Sequence, residues 1–456
     1  MAAARRVLPP LLLAAALSVF SACAGEQPEP AREATAGRAA NAPASAPERA
    51  ALAGRNLLLI TLDTLRADRL GAYGYEGVET PNIDRLAAEG ARFERVTTTV
   101  PVTLPAHASI MTGRQPWEHG VRNNGAFILR DDAVTLAEVL RDEGYATGGF
   151  IGAVVLAAQF GIAQGFDTWD GLAQYQARTG DDSGERPGEE VVAPASDWIR
   201  GQSGPWFAWV HLYDPHDPYA PPEPYASRYA AEPYDGEVAY VDAMVGRLLE
   251  TLRQAGAADD TLVVLTADHG EGLGDHGEGG HSFFVYDSTV RVPLIFWAPG
   301  AVPAGVVVSG GAGIVDIQPT VLSLLGVAAA EAGTGGTQEV GAEGTPDAGG
   351  AASWRGRDLT ARFADPQAAG TPAYAESLIP YLDFGWSELR ALVDDGYKYI
   401  AAPEPELYDL AADPGELDNL VDVEVERADA MAERLATLAA GDDVTEATGV
   451  AVGADD

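Results

Sequence analysis

Unbroken apolar runs alternate with segments of helical periodicity through residues 55–327. Leu57-Leu-Leu-Ile-Thr-Leu62, Trp206-Phe-Ala-Trp-Val210 and Leu262-Val-Val-Leu-Thr266 lack the apolar–polar alternation of a half-exposed strand, so each reads as a strand buried on both faces. Trp206, Phe207 and Trp209 are accordingly expected in the strand core. Helices are expected at Asn82 to Glu89, Thr135 to Glu143 and Glu237 to Gln254. Strands separated by helices predict an α/β fold, a mixed or parallel sheet sandwiched by helices. The residues after the strands carry the chemistry. The first run delivers Asp63, the second His211, Asp214 and His216, and the third Asp268 and His269. Ligands of open α/β sheets bind beyond the carboxyl ends of the strands, so three such ends with metal-competent side chains mark a candidate site.

The pattern breaks at both ends and once between. Arg5 and Arg6 precede an apolar run, Leu11 to Phe20, too short to span a membrane as a mature helix. It ends Phe20-Ser21-Ala22-Cys23, which looks like a bacterial lipobox. The expectation is a signal peptide over 1–22 and a lipid anchor at Cys23, with an ordinary signal peptide and an incidental cysteine as the alternative. Residues 23–54, rich in Ala, Pro and Glu, read as a flexible tether. A low-complexity insertion is expected over 328–352, a smaller α+β subdomain over 353–440 and a frayed acidic tail over 441–456. An exported protein, lipid-anchored in the bacterial envelope, follows from this layout.

Charge narrows the partners. Against 29 basic residues stand 68 acidic ones, a formal net charge of −39, which argues against nucleic-acid binding and against docking on anionic lipid through a basic patch. Most of that charge serves solubility. Cys23 is the sole cysteine, so disulfides within the chain and a thiol active site are excluded, and Lys398 is the sole lysine.

The histidines gather in the large module: His107, His119, His211, His216, His269, His276 and His281 all lie within 55–327. Pro105 suits the first turn of a helix that Ala106 to Met111 continues and Gly113 ends. Thr103 then sits at a helix N-terminus, where free N–H groups and the dipole favour an anionic ester. Taken alone, the position reads as a plain N-cap threonine. Its hydroxyl becomes a nucleophile only where a metal lowers its pKa or a base takes its proton. His119 is expected to cap or pack the turn after this helix, His211 to pack at a strand end, and His276 to occupy a loop near the cleft.

Leu62-Asp63-Thr64-Leu-Arg66-Ala-Asp68, Thr80-Pro81-Asn82-Ile83-Asp84, Asp268-His269-Gly270-Glu271 and Leu407-Tyr408-Asp409-Leu410, with Asp413-Pro414, Glu416 and Asn419, resemble the sulfatase branch of the alkaline phosphatase superfamily. The resemblance runs from about Asn56 to Leu420. It implies an alkaline-phosphatase-like mixed sheet between helices and a C-terminal subdomain with a small antiparallel sheet. Departures accompany it. Sulfatases oxidise a Cys or Ser followed by x-Pro-x-Arg to formylglycine, and here those end positions hold Thr103 and His107. The paired lysines that grip sulfate cannot both exist in a chain with one lysine, and His281 lies roughly where one of them would be. The segment is similar instead to nucleotide pyrophosphatase/phosphodiesterases, whose threonine nucleophile is followed by the order seen in Pro105, His107, Thr112-Gly113, His119-Gly120 and Asn124. By that analogy His107 joins the catalytic set and Asn124 donates to a non-bridging ester oxygen. The threonine-dependent phosphoglycerol transferases of bacterial envelopes are a third relative.

The strongest metal site combines Asp63, Thr103, Asp268 and His269. Calcium-type sulfatases carry a second aspartate where this chain has Thr64. Fewer carboxylates plus an imidazole shift the preference from Ca²⁺ toward Zn²⁺ or Mn²⁺. One ion is expected. Asp214, His216 and His281 form a weaker candidate for a second; otherwise His216 and His281 contact ester oxygens or protonate the leaving group. Arg66 either pairs with Asp84 or touches substrate. The reading is a metal-dependent hydrolase that cleaves phosphate mono- or diesters, small or glycan- or lipid-linked, through a covalent threonine intermediate. Its alternatives are a sulfuric ester hydrolase without formylglycine, a phosphoglycerol or phosphoethanolamine transferase, and a glycan-binding lipoprotein with a vestigial site.

Overall fold

A computed structural model describes residues 52–180, 186–328, 355–440 and 442. The leader, Cys23 and most of the tether lie outside them, as do nearly all of the expected insertion and residues 443–456. Nine strands form the main sheet: β1 (Asn56–Leu62), β2 (Ala91–Thr97), β3 (Ala146–Ile151), β4 (Thr168–Asp170), β5 (Trp206–Leu212), β6 (Thr261–Ala267), β7 (Arg291–Trp297), β8 (Val306–Val308) and β9 (Ala312–Gly313). Their order is β4-β3-β5-β1-β6-β7-β2-β8, with β9 beside β2. β4, β3, β5, β1 and β6 are parallel, whereas β7 runs antiparallel to both β6 and β2, so the sheet is mixed. Burial on both faces explains the unbroken apolar runs, since every residue of β5 and β6 is buried.

The helices form where periodicity places them, with small shifts at their ends. Pro81 opens Pro81–Glu89, as suits a residue without an N–H. Thr135 caps Leu136–Asp142: its hydroxyl accepts the Glu138 N–H at 3.2 Å, and the Glu138 carboxylate accepts the Thr135 N–H at 2.9 Å. The third helix starts earlier than expected and spans Pro233–Gln254.

Register then aims the site. β1 lies between β5 and β6, with Leu62 opposite Leu212 and Ala267, and Thr61 opposite His211 and Thr266. Asp63 and Asp268 therefore emerge one residue past the same rung. His211 sits level with Thr61, and alternation puts it on the Asp63 face.

β10 (Ala373–Ser377), β11 (Leu389–Asp394), β12 (Tyr397–Ala401) and β13 (Glu406–Asp409) make a separate antiparallel sheet in chain order, packed against the helix Val425–Leu438. This is the small C-terminal α+β subdomain. Two expected boundaries need correction. Leu52, placed in the tether, is fully buried in the main core. Asp442, placed in a frayed tail, pairs with Arg122 at 2.7 Å and Arg390 at 3.0 Å, so the chain is pinned there.

Candidate active site

Val102 has extended backbone and precedes the helix Thr103–Thr112, whose residues are all buried; Gly113, at φ +63°, ends it. The Thr103 hydroxyl oxygen lies 3.4 Å from His269 Nε2. Asn124 Oδ1 accepts the Leu104 N–H at 2.9 Å, which fixes the side chain against the helix N-terminus and leaves its NH₂ as a donor there.

Asp63, Asp268 and His269 converge behind Thr103, all fully buried. Neither Asp63 carboxylate oxygen has a hydrogen-bond donor, nor has Asp268 Oδ2. Asp268 Oδ1 accepts the His269 N–H at 2.8 Å and the Thr64 N–H at 3.3 Å. His269 Nδ1 donates to the Gly270 carbonyl at 3.0 Å. Its Nε2 thus keeps a lone pair, 3.4 Å from Asp268 Oδ2 and 3.7 Å from Asp63 Oδ1. Burial raises both carboxyls, with opposite net results. At Asp63 the close His211 imidazole, together with those of His216 and His269, outweighs it and holds the group below the usual carboxylate range. At Asp268 the adjacent Asp63 charge adds to burial and pushes the group well up. Orphaned carboxylate oxygens around a bare imidazole nitrogen fit a divalent cation, which would let both carboxyls ionise.

His107 is engaged by the scaffold on both ring nitrogens. Trp209 Nε1–H donates to Thr61 Oγ1 at 2.9 Å, Thr61 donates to His107 Nε2 at 3.0 Å, and His107 Nδ1–H donates to the Thr103 carbonyl at 2.8 Å. Both ring nitrogens are used, and burial with the nearby His211 pushes the imidazole down to about 3. His107 is a strut under Thr103, which corrects its expected catalytic place.

His211 was expected only to pack, yet its Nε2 lies 3.4 Å from Asp63 Oδ2 and neither ring nitrogen has a hydrogen-bond partner. The β1–β5 register was the signal that would have found it. Glu271 was quoted only as part of a motif; its buried Oε1 faces His281 Nδ1 at 3.2 Å. Burial lowers His281, but this bond and charge outweigh it and raise the imidazole above its ordinary value. The His281 ring lies 4.4 Å from that of His269 and 5.2 Å from that of His216, which stacks on Tyr213.

Two expectations fail here. Asp214 accepts the Gly188 N–H at 3.2 Å, at the start of the helix Gly188–Arg200, instead of joining His216 and His281. The three do not assemble a second metal centre among the described residues, because that bond turns Asp214 toward the helix. Arg66 pairs with Asp68 and Asp275, each at 2.8 Å, and donates to the Glu271 and Gly272 carbonyls. Its guanidinium is spent on fastening the 271–275 loop and touches neither Asp84 nor an open cleft. Asp84 instead accepts from Ala72 N–H and the Thr80 hydroxyl.

The remaining polar groups are structural. His119 accepts the Val121 N–H on Nδ1 and bonds Ser109 Oγ through Nε2 at 3.0 Å. His276 stacks on Tyr286 with ring centres 3.6 Å apart. Lys398 is fully buried, bound to Asp287 at 2.6 Å and Glu416 at 2.8 Å.

Comparison with known proteins agrees with this geometry. Residues 55–327 match the sulfatase family. Human N-acetylgalactosamine-6-sulfatase is 28% identical over 326 residues, an alignment covering 60% of this chain and 62% of that protein. The chain thus spans less than two thirds of that relative's length. A phosphonate monoester hydrolase of Agrobacterium radiobacter superposes with a TM-score of 0.67 at 24% identity, over 85% of this chain and 96% of that one. A structure bound to its substrate D-glucosamine-2-N,6-O-disulfate superposes equally well, at 0.67 and 21% identity, over 85% and 97% of the two chains. Family match and fold agree: the chain belongs to the sulfatase family of the alkaline phosphatase superfamily.

Proposed function

We propose that this protein hydrolyses phosphoric esters through Thr103 and works at the bacterial envelope, exported and tethered by Cys23. One observation carries the chemistry. The side chain beside the Asp63–Asp268–His269 cluster is a threonine hydroxyl, 3.4 Å from His269 Nε2, where formylglycine chemistry needs a cysteine or serine. The one lysine is buried in the C-terminal subdomain, so a pair of lysines around a sulfate is excluded. The phosphonate monoester hydrolase among the structural relatives supports attack at phosphorus.

A divalent ion, Zn²⁺ or Mn²⁺, held by Asp63, Asp268, His269 and Thr103 would supply a lowered hydroxyl pKa and charge neutralisation at the ester. The chain supplies the rest. Deprotonated Thr103 Oγ1 attacks phosphorus, and the bond to the leaving alcohol breaks opposite it. The Asn124 amide and the Thr103 N–H, at the positive end of the helix dipole, meet the charge on the non-bridging oxygens. His281, oriented and kept basic by Glu271, gives its proton to the leaving oxygen. Neutral His281 then takes a proton from water, which attacks phosphothreonine and releases phosphate. The His107 strut keeps the Thr103 carbonyl, and so the helix start, in place.

A second reading, sulfuric ester hydrolysis, is favoured by the family match itself. It requires hydrolysis of a sulfothreonine, without the elimination that a formylglycine hydrate allows. Turnover of p-nitrophenyl sulfate, p-nitrophenyl phosphate and bis-p-nitrophenyl phosphate by the full chain and its Thr103→Ala variant, with Zn²⁺ or Mn²⁺ supplied, separates them. We expect phosphoester turnover that falls at least ~10³-fold in the variant, as for loss of a covalent nucleophile. Turnover of the sulfate alone would restore the sulfatase. Silence on all three esters with metal bound would point to transfer onto an alcohol acceptor.

A further inference from the structure

A line of apolar side chains leads outward from the nucleophile. Val102, immediately before Thr103, packs with Val100 and Ile379 in a small buried cluster, and Phe283 covers it. Phe283 is two residues past His281 in the chain, so the cluster touches the site from two sides. Phe283 meets Phe384 with ring centres 5.4 Å apart, and Phe384 meets Trp386 at 5.1 Å. The two outer rings are open to solvent: Phe384 is 52% exposed and Trp386 62%. Gly385, at φ +66°, ends the helix Ile379–Phe384, and the Trp386 N–H bonds the Pro380 carbonyl at 2.9 Å. The backbone therefore fixes where Trp386 stands. Large aromatic side chains left in water beside a buried reaction centre are the residues that binding would cover.

We propose that Phe283, Phe384 and Trp386 form the subsite for the leaving alcohol, and that this alcohol is uncharged and presents an apolar ring, as an aryl alcohol does. This rests on the hydrolase reading above: the acid end of the ester is held at Thr103, so what extends along the wall is its alcohol. Charge selects against anionic alcohols. Asp383 and Glu388 flank the wall residues in the chain, and Arg66, Arg122, Arg390 and Lys398 are each bound to carboxylates. Three aromatic rings on which no cation stacks among the described residues match a neutral ring face better than a polyanionic chain.

The test uses the full chain with metal and compares 2-naphthyl with ethyl phosphate, or the matching sulfates if only those are turned over. Each ester is compared with itself between wild type and the Trp386→Ala and Phe384→Ala variants, so intrinsic leaving-group reactivity cancels. We expect kcat/KM for the naphthyl ester to fall roughly three- to tenfold, mainly through KM, the size of one aromatic contact, with the ethyl ester unchanged. Equal losses on both esters, or none, would overturn the subsite. So would a hexose 6-phosphate preferred by wild type and losing as much in Trp386→Ala, because the wall would then serve a sugar. Binding of 2-naphthol, followed by its own fluorescence, reads the wall without turnover: weaker binding in Trp386→Ala supports it and equal binding refutes it. If no ester is cleaved while naphthol binding depends on Trp386, the hydrolase reading fails and the subsite stands.

Discussion

Replacing His211 by asparagine should weaken Zn²⁺ or Mn²⁺ binding by roughly 10- to 100-fold, the usual cost of losing a group that orients a metal ligand. Asp63 has no hydrogen-bond donor of its own, and His211 Nε2 stands 3.4 Å from its Oδ2 inside a fully buried pocket. Chelator competition on His211→Asn measures the effect, and unchanged affinity would return His211 to a packing role. That residue also marks the limit of what was legible at this scale. Asp63, Asp268 and His269 stood out because each follows an apolar run. His211 lies inside one, flanked by Trp209 and Leu212, and its neighbours read as core. The fates of Arg66 and Asp214 were illegible for a related reason. Each is claimed by a partner, Asp275 or Gly188, distant in sequence, and residue type does not reveal prior engagement.

Elements were more legible than their fastenings. Strand runs and helix periods follow from burial and appear in the chain directly; what holds two helices together does not. The N-cap Thr80 of Pro81–Glu89 makes no cap bond. The cap comes instead from Asp242 on Pro233–Gln254, which accepts the N–H groups of Asn82 at 3.0 Å and Ile83 at 2.8 Å, and the Asn82 amide at 2.8 Å. Burial pushes Asp242 up to about 6 against the lowering effect of those bonds. A raised folded-state pKa means that the folded protein holds the proton more tightly than the unfolded one. Its stabilising contribution is complete below the unfolded value of 3.8 and is lost as pH rises through about 6. Asp242→Asn keeps an oxygen for both N–H groups and removes the titration. Urea unfolding between about pH 4 and pH 7 should show wild type losing ~2–3 kcal/mol more stability than Asp242→Asn. Parallel pH profiles for the two proteins would contradict this account.

Over the whole molecule, the same excess of acid that argues against nucleic-acid binding leaves few cations to join the two sheets. Lys398 on β12 holds Asp287, which lies just before β7, together with Glu416 of the subdomain. Asp287 is held below its ordinary range; burial pushes it up, but Lys398 and Arg95 outweigh this. Lys398→Met would strand the buried Glu416 and leave Asp287 to Arg95 alone, and should cost roughly 3–5 kcal/mol, seen as a lower Tm. Salt separates this effect from the surface. A net charge of −39 repels itself across the exterior, and that repulsion is screened over about 10 Å at 0.1 M salt and about 3 Å at 1 M. Raising NaCl from about 0.05 to 1 M should therefore raise the Tm of wild type. The gap between wild type and Lys398→Met should persist, because ions do not enter the buried pair. If salt closed that gap, Lys398 would be working as one more surface charge, and the joining of the two sheets would rest on other contacts, such as the buried pair of Arg122 with Glu376.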